Sequence, residues 1–88
     1  MGSRAVLFGS QARQEATEDS DWDIHILIPG EEHLSQEIIS KYAHPIELLG
    51  WNMNECFSVL IYSYKGWEKR NFLPFYKNVE KDKVVLYN

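Results

Sequence analysis

Cysteine is almost absent: Cys56 stands alone, so the chain forms no disulfide within itself and carries no cysteine-rich zinc pattern. That usage suits a reducing cytoplasm and leaves Cys56 as expected core filler. Long apolar runs are missing too. Nowhere do about 18 apolar residues follow one another, and the start lacks the apolar stretch of a signal peptide, so the expected protein is soluble and intracellular with no membrane partner. Positive charge is scarce, with nine Lys and Arg against thirteen Asp and Glu and a formal charge of −4. No basic run is dense enough to follow a nucleic acid backbone, so non-specific nucleic acid binding is not expected. An anionic ligand would need a local device, either a helix N-terminus or a metal ion. Repeats, low-complexity tracts and linkers are absent. What remains is 88 residues, 44% of them hydrophobic, enough for one modest core in a single domain over residues 1–88.

Residues 4–8, RAVLF, read as a buried strand closed by a sharp turn at Gly9. Ser10 is placed to cap a short helix over residues 11–15. An acidic loop follows, and residues 21–28 then alternate. Trp22, Ile24, Ile26 and Ile28 form an apolar face; Asp21, Asp23, His25 and Leu27 form a more polar one. Pro29 and Gly30 end this strand. Residues 31–43 carry a helical repeat, with a break expected near His44 because Pro45 suits the start of a second short helix through Leu49. Residues 56–63 alternate again, with Phe57, Val59 and Ile61 on the apolar side. The tail predicts a helical turn over residues 67–71, another helix begun by Pro74, and a strand over residues 83–87.

Chemistry concentrates near the start. A glycine after a strand lets backbone approach a ligand, and amides opening the next helix can donate to phosphate oxygens, a role that fits Gly9 and Ser10. Arg13, one turn on, could reach the same phosphates. Asp21 and Asp23 share a strand face, close enough to repel unless a cation lies between them. Mg²⁺ suits that gap, since it takes one or two carboxylates together with phosphate oxygens and water. Taken singly, the first feature is a tight turn with an N-cap and the second an acidic loop entering a strand. His25 lies on the aspartate face, either a partner behind the metal site or a contact for a base or acceptor, or else a semi-exposed strand residue. Asp19 could lend charge, or simply be a solvated loop acid. Trp67, Phe72, Phe75 and Tyr76, interleaved with Lys69, Arg70 and Lys77, could stack on a base or dock a partner, with core packing expected for at least half of them.

Together, GSQAR and the downstream SDWDIHILI resemble the Gly-Ser, x, Ala-Arg, then Ser-Asp-x-Asp pattern of the minimal nucleotidyltransferase family, within the DNA polymerase β-like superfamily. The resemblance is close over about residues 4 to 30 and elsewhere holds in element order. It implies an α/β (α+β) fold, a small mixed sheet backed by helices. It also implies a nucleoside triphosphate, ATP foremost, gripped at Gly9 and Ser10, and Mg²⁺ or Mn²⁺ held by the catalytic pair Asp21 and Asp23. The implied reaction moves a nucleoside monophosphate to a protein or small-molecule acceptor and releases pyrophosphate.

The chain also departs from that pattern. The family places a third carboxylate on the neighbouring strand, and here residues 56–63 contain none. Ser58 stands where it belongs, and Glu55, just before the strand, is the nearest substitute. Gln14 replaces a common glycine, and almost nothing precedes the first strand, as in a truncated or degenerate member. These departures favour a second reading, an antitoxin-like binding module that neutralises a HEPN-type partner by contact. Treating Asp21-Trp22-Asp23 as the Asp-x-Asp of a sugar-nucleotide glycosyltransferase fails on length.

Overall fold

The computed structural model describes residues 2–18 and 20–88. Strand β1 (Arg4–Phe8) leads into one helical turn, α1 (Gly9–Ala12), and a loop returns the chain to β2 (Trp22–Ile28). A long helix, α2 (Gln36–Asn52), crosses over to β3 (Phe57–Ser63). Helices α3 (Tyr64–Glu68) and α4 (Pro74–Asp82) then precede β4 (Val84–Tyr87). The sheet order is β3-β2-β1-β4, with β1 antiparallel to both neighbours and β2 parallel to β3. This is the expected α+β architecture, a mixed sheet backed by helices.

Helices cover both faces. On one, Ile24, Ile26, Ile28 and Ile61 pack against Ala43 of α2. On the other, Val6 and Leu27 pack against Trp67 of α3 and Val79 of α4. The alternation of β2 predicts only the first face. Its second face is no solvated surface: Leu27 and His25 are buried there because the C-terminal helices fold back over it.

Helix α2 corrects the expected break. It begins at Gln36, where the Ser35 hydroxyl accepts from the Ile38 amide at 3.2 Å, and runs unbroken through Pro45. An interior proline costs about 3 kcal/mol. Burial of Ala43 and Gly50, together with the partly buried Ile39 and Ile46 packed on the sheet, offsets that cost on the inner side. Gly50 also admits β3: a Cβ there would lie 3.1 Å from both Glu55 O and Phe57 Cγ.

Two short helices are shifted from expectation. Helix α1 spans Gly9–Ala12 with Phe8 as its N-cap, so Ser10 lies within the turn and caps nothing. Gln14 adopts φ 61°, a left-handed conformation that explains why glycine suits this position. Helix α3 starts three residues before the expected turn because Ser63 caps it, accepting from the Gly66 amide at 3.0 Å. Cys56 is exposed at the open end of the sheet and is not core filler. No helix among the described residues is long and apolar enough to cross a membrane.

Candidate functional site

The sheet end formed by the close of β1 and the starts of β2 and β3 collects the chemically active side chains. Phe8 pairs with Asp23 across the antiparallel ladder, and Gly9 follows with φ 76°. The Asp23 carboxyl lies directly over that glycine: a Cβ on Gly9 would collide with Asp23 Oδ2 and lie 3.3 Å from Cγ. The turn and the acidic strand thus meet in space as well as in sequence.

Asp21 stands just before β2, and the next amide, that of Trp22, donates to Cys56 O at 2.9 Å, tying this segment to β3. The Asp23 carboxyl is pushed above its ordinary range, first by burial and then by the charge of Asp21, with Arg13 opposing. The exposed Cys56 thiol is pushed up as well, chiefly by hydrogen bonding to Asp21. A carboxylate whose ionisation is opposed by burial and by a neighbouring acid is a place where a cation relieves repulsion.

Ser58 sits opposite Asp23 in the parallel β2–β3 register, on the same face. It therefore occupies the neighbouring-strand position that a third acid would take. Glu55 does not replace it. Its carboxylate accepts from Trp22 Nε1 at 3.1 Å, and Trp22 points to the opposite face of β2 from Asp23.

Arg13 is engaged elsewhere. Its guanidinium pairs with Asp82 at the end of α4 (2.5 Å) and with Glu15 (3.6 Å), though its charge still reaches Asp23. The acidic loop is held to α1 through Gln11 Nε2, which donates to Ser20 O at 3.4 Å. Asp19 lies outside the described residues.

His25 is neither semi-exposed nor open to a base or acceptor. It is fully buried, its ring centroid 4.0 Å from that of Trp67, 5.3 Å from Tyr62 and 6.3 Å from Phe8. Neither ring nitrogen has a hydrogen-bond partner. Burial, then the charge of Arg4, lowers its pKa to about 4 against a weaker pull from Glu80, so the imidazole is neutral near pH 7. The tail aromatics divide: Trp67 is core and Tyr76 half-buried against it, while Phe72 and Phe75 are exposed.

The donor set fits one divalent cation shared with a ligand. Among the described residues no group of three His, Cys, Asp or Glu side chains could hold a metal. Asp21 and Asp23 supply two hard oxygen donors, the number that Mg²⁺ takes when phosphates and water complete its shell. Sequence reasoning missed Asp82, because a partner 69 residues from Arg13 leaves no local signal. The two-residue period of residues 56–63 does place Cys56, with Ser58 and Leu60, on the side away from Phe57, Val59 and Ile61, the side of the aspartate pair.

The sequence profile described as the nucleotidyltransferase domain matches residues 2–87. No curated protein and no solved structure matches the chain.

Proposed function

The chain belongs to the nucleotidyltransferase domain family, and from that premise we propose that it binds a nucleoside triphosphate, ATP, and transfers its nucleoside monophosphate to an acceptor hydroxyl. The observation that carries this reading is the seating of Asp23 on Gly9 with Asp21 close by. It puts a carboxylate pair against the turn whose backbone is open to phosphate oxygens. In the reaction, the acceptor oxygen bonds to the α-phosphorus and the α–β anhydride bond breaks. Its electron pair leaves on pyrophosphate, and the hydroxyl proton passes to water.

Asp21 and Asp23 would hold Mg²⁺ or Mn²⁺, which when bound supplies charge neutralisation of the phosphates. Gly9 leaves room for close approach, and Ser10 contributes an amide at the start of α1. Arg13, once released from Asp82, adds a bidentate cation to the phosphates. A triphosphate donor makes the cytoplasm the expected compartment.

The test is incubation with labelled ATP and Mg²⁺ or Mn²⁺ in the presence of candidate acceptors. Label transfer that disappears in Asp23→Ala supports the reading. Absence of both ATP binding and transfer in the unaltered chain overturns it.

Ser58 opposite Asp23 favours one alternative. With no third acid beside the acceptor, binding can persist where catalysis is weak, and the chain would serve as an antitoxin-like module that neutralises a HEPN-type protein by contact. Tight association with such a protein, unaltered by Asp23→Ala and without label transfer, would favour this module over the enzyme.

A further inference from the structure

Strand β3 is one edge of the sheet, and its side chains divide by the two-residue period. Phe57, Val59 and Ile61 belong to the core on the α2 side, which leaves Ser58 on the face of the aspartate pair. In the parallel β2–β3 ladder Ser58 stands opposite Asp23, one strand spacing or about 4.8 Å across. It is half-buried, not enclosed. The other serines at this end have different places. Ser20 Oγ accepts from the Thr17 amide at 2.9 Å, and Ser10 lies within the α1 turn. Ser58 is thus a hydroxyl fixed on rigid strand where the neighbouring-strand acid is missing.

We propose that Ser58 is itself an acceptor, and that the chain transfers the nucleoside monophosphate of a bound triphosphate onto its own Ser58 hydroxyl. Ser58 Oγ bonds to the α-phosphorus, and the α–β anhydride bond breaks. The electron pair leaves on pyrophosphate, the hydroxyl proton passes to water, and the product is a seryl phosphodiester. Placement carries the step. Asp23 rests on Gly9 from one strand and faces Ser58 on the next, so phosphates lying on the glycine turn are held beside this hydroxyl. Fixing both reactants on one sheet removes the need for a second encounter, an advantage on the order of 10⁵ M or more in effective concentration when alignment is good. A hydroxyl without a base attacks slowly, but a tethered one has only to react once. Cys56, the other nucleophile on this face, is the poorer one, because its thiol is pushed up and stays protonated. The adenylyl group would then cover the aspartate pair, so one turnover closes the site.

This modification rests on the transfer reading, and its test tells the two apart. The full chain is incubated with excess ATP and Mg²⁺ or Mn²⁺ and no added acceptor, and peptide mass spectrometry locates the modified residue. The expected result is one adenylyl group on Ser58, formed at a rate per chain that does not change when the protein is diluted. It should be absent in Ser58→Ala and Asp23→Ala and retained, more slowly, in Ser58→Thr, which keeps a hydroxyl. Thermal melts confirm that each variant is folded. In calorimetry the modified chain should give no heat with ATP and Mg²⁺, whereas the untreated chain does. An adenylyl group on Ser10 or Cys56 in place of Ser58, labelling that persists in Asp23→Ala, or a rate that falls on dilution overturns the assignment. ATP binding, or transfer to an added hydroxyl, with Ser58 unmodified sinks the self-modification and leaves the transfer reading standing. Neither binding nor transfer of any kind sinks both.

Discussion

Asp23 rests on Gly9 so closely that a methyl group on the glycine would strike its carboxylate oxygen. Two demands meet at that residue. The φ of 76° needs a residue free to enter the left-handed region, and the strand pairing of Phe8 with Asp23 needs an absent side chain. Gly9→Ala should therefore lose about 1–2 kcal/mol from backbone conformation alone, with a further loss as Asp23 is displaced. Urea denaturation measures the first effect. Calorimetry with ATP and Mg²⁺ measures the second, expected as loss of detectable binding.

Arg13 and Asp82 form a pair that a phosphate ligand would have to break. Asp82→Asn removes the competitor without touching the arginine. Nucleotide affinity should rise roughly two- to fivefold, the scale of a partly exposed ion pair. Arg13→Gln should lower it. Unchanged affinity in both variants would show that Arg13 plays no part in phosphate binding.

Ser58 offers a direct chemical test, since its register places it beside Asp23 on the neighbouring strand. Ser58→Asp should raise the rate of nucleotide transfer on the order of tenfold or more by supplying the missing acid at the acceptor side. The same change should lower the melting temperature of the metal-free chain, because a third carboxylate joins a pair that already repels. Added Mg²⁺ should recover that loss, as thermal melts with and without the ion will reveal.

Acid should unfold the protein in two overlapping windows. The unfolded His25 gains a proton near pH 6.5 and the folded one only near 4, so stability falls as pH drops between those values. Glu80 adds to the loss at lower pH. Burial raises its pKa, but hydrogen bonds from Arg4, Lys83 and Trp67 win and hold it at about 2. Its contribution is complete above 4.5 and disappears as pH falls toward 2, a loss of as much as roughly 3 kcal/mol. Denaturant melts across pH 2–7 should show both limbs. His25→Leu should flatten the upper one and raise stability at pH 7 by about 1 kcal/mol, since it removes two unpartnered ring nitrogens from an aromatic cage. Glu80→Gln should flatten the lower one and weaken the chain at neutral pH.

Much of this arrangement was legible in the chain itself. The bounds of β1, the alternation of β2 and β3 and the helix opened by Pro74 follow from local pattern, because each depends on residues within a few positions of one another. Gly9, Asp21 and Asp23 were also visible as a candidate site, since a turn and an acidic strand separated by one short loop are bound to lie near each other. Contacts made at a distance decided the rest. Pro45 stays inside α2 because the sheet beneath it rewards an unbroken helix. His25 and Leu27 are buried because α3 and α4, far downstream in the chain, close over a face that alternation alone marks as polar. Arg13 meets Asp82, and Ser58 meets Asp23, only once crossover and sheet order are set. Local propensity and period act along the chain, whereas burial and charge pairing act through space, and only the folded form brings those partners within reach.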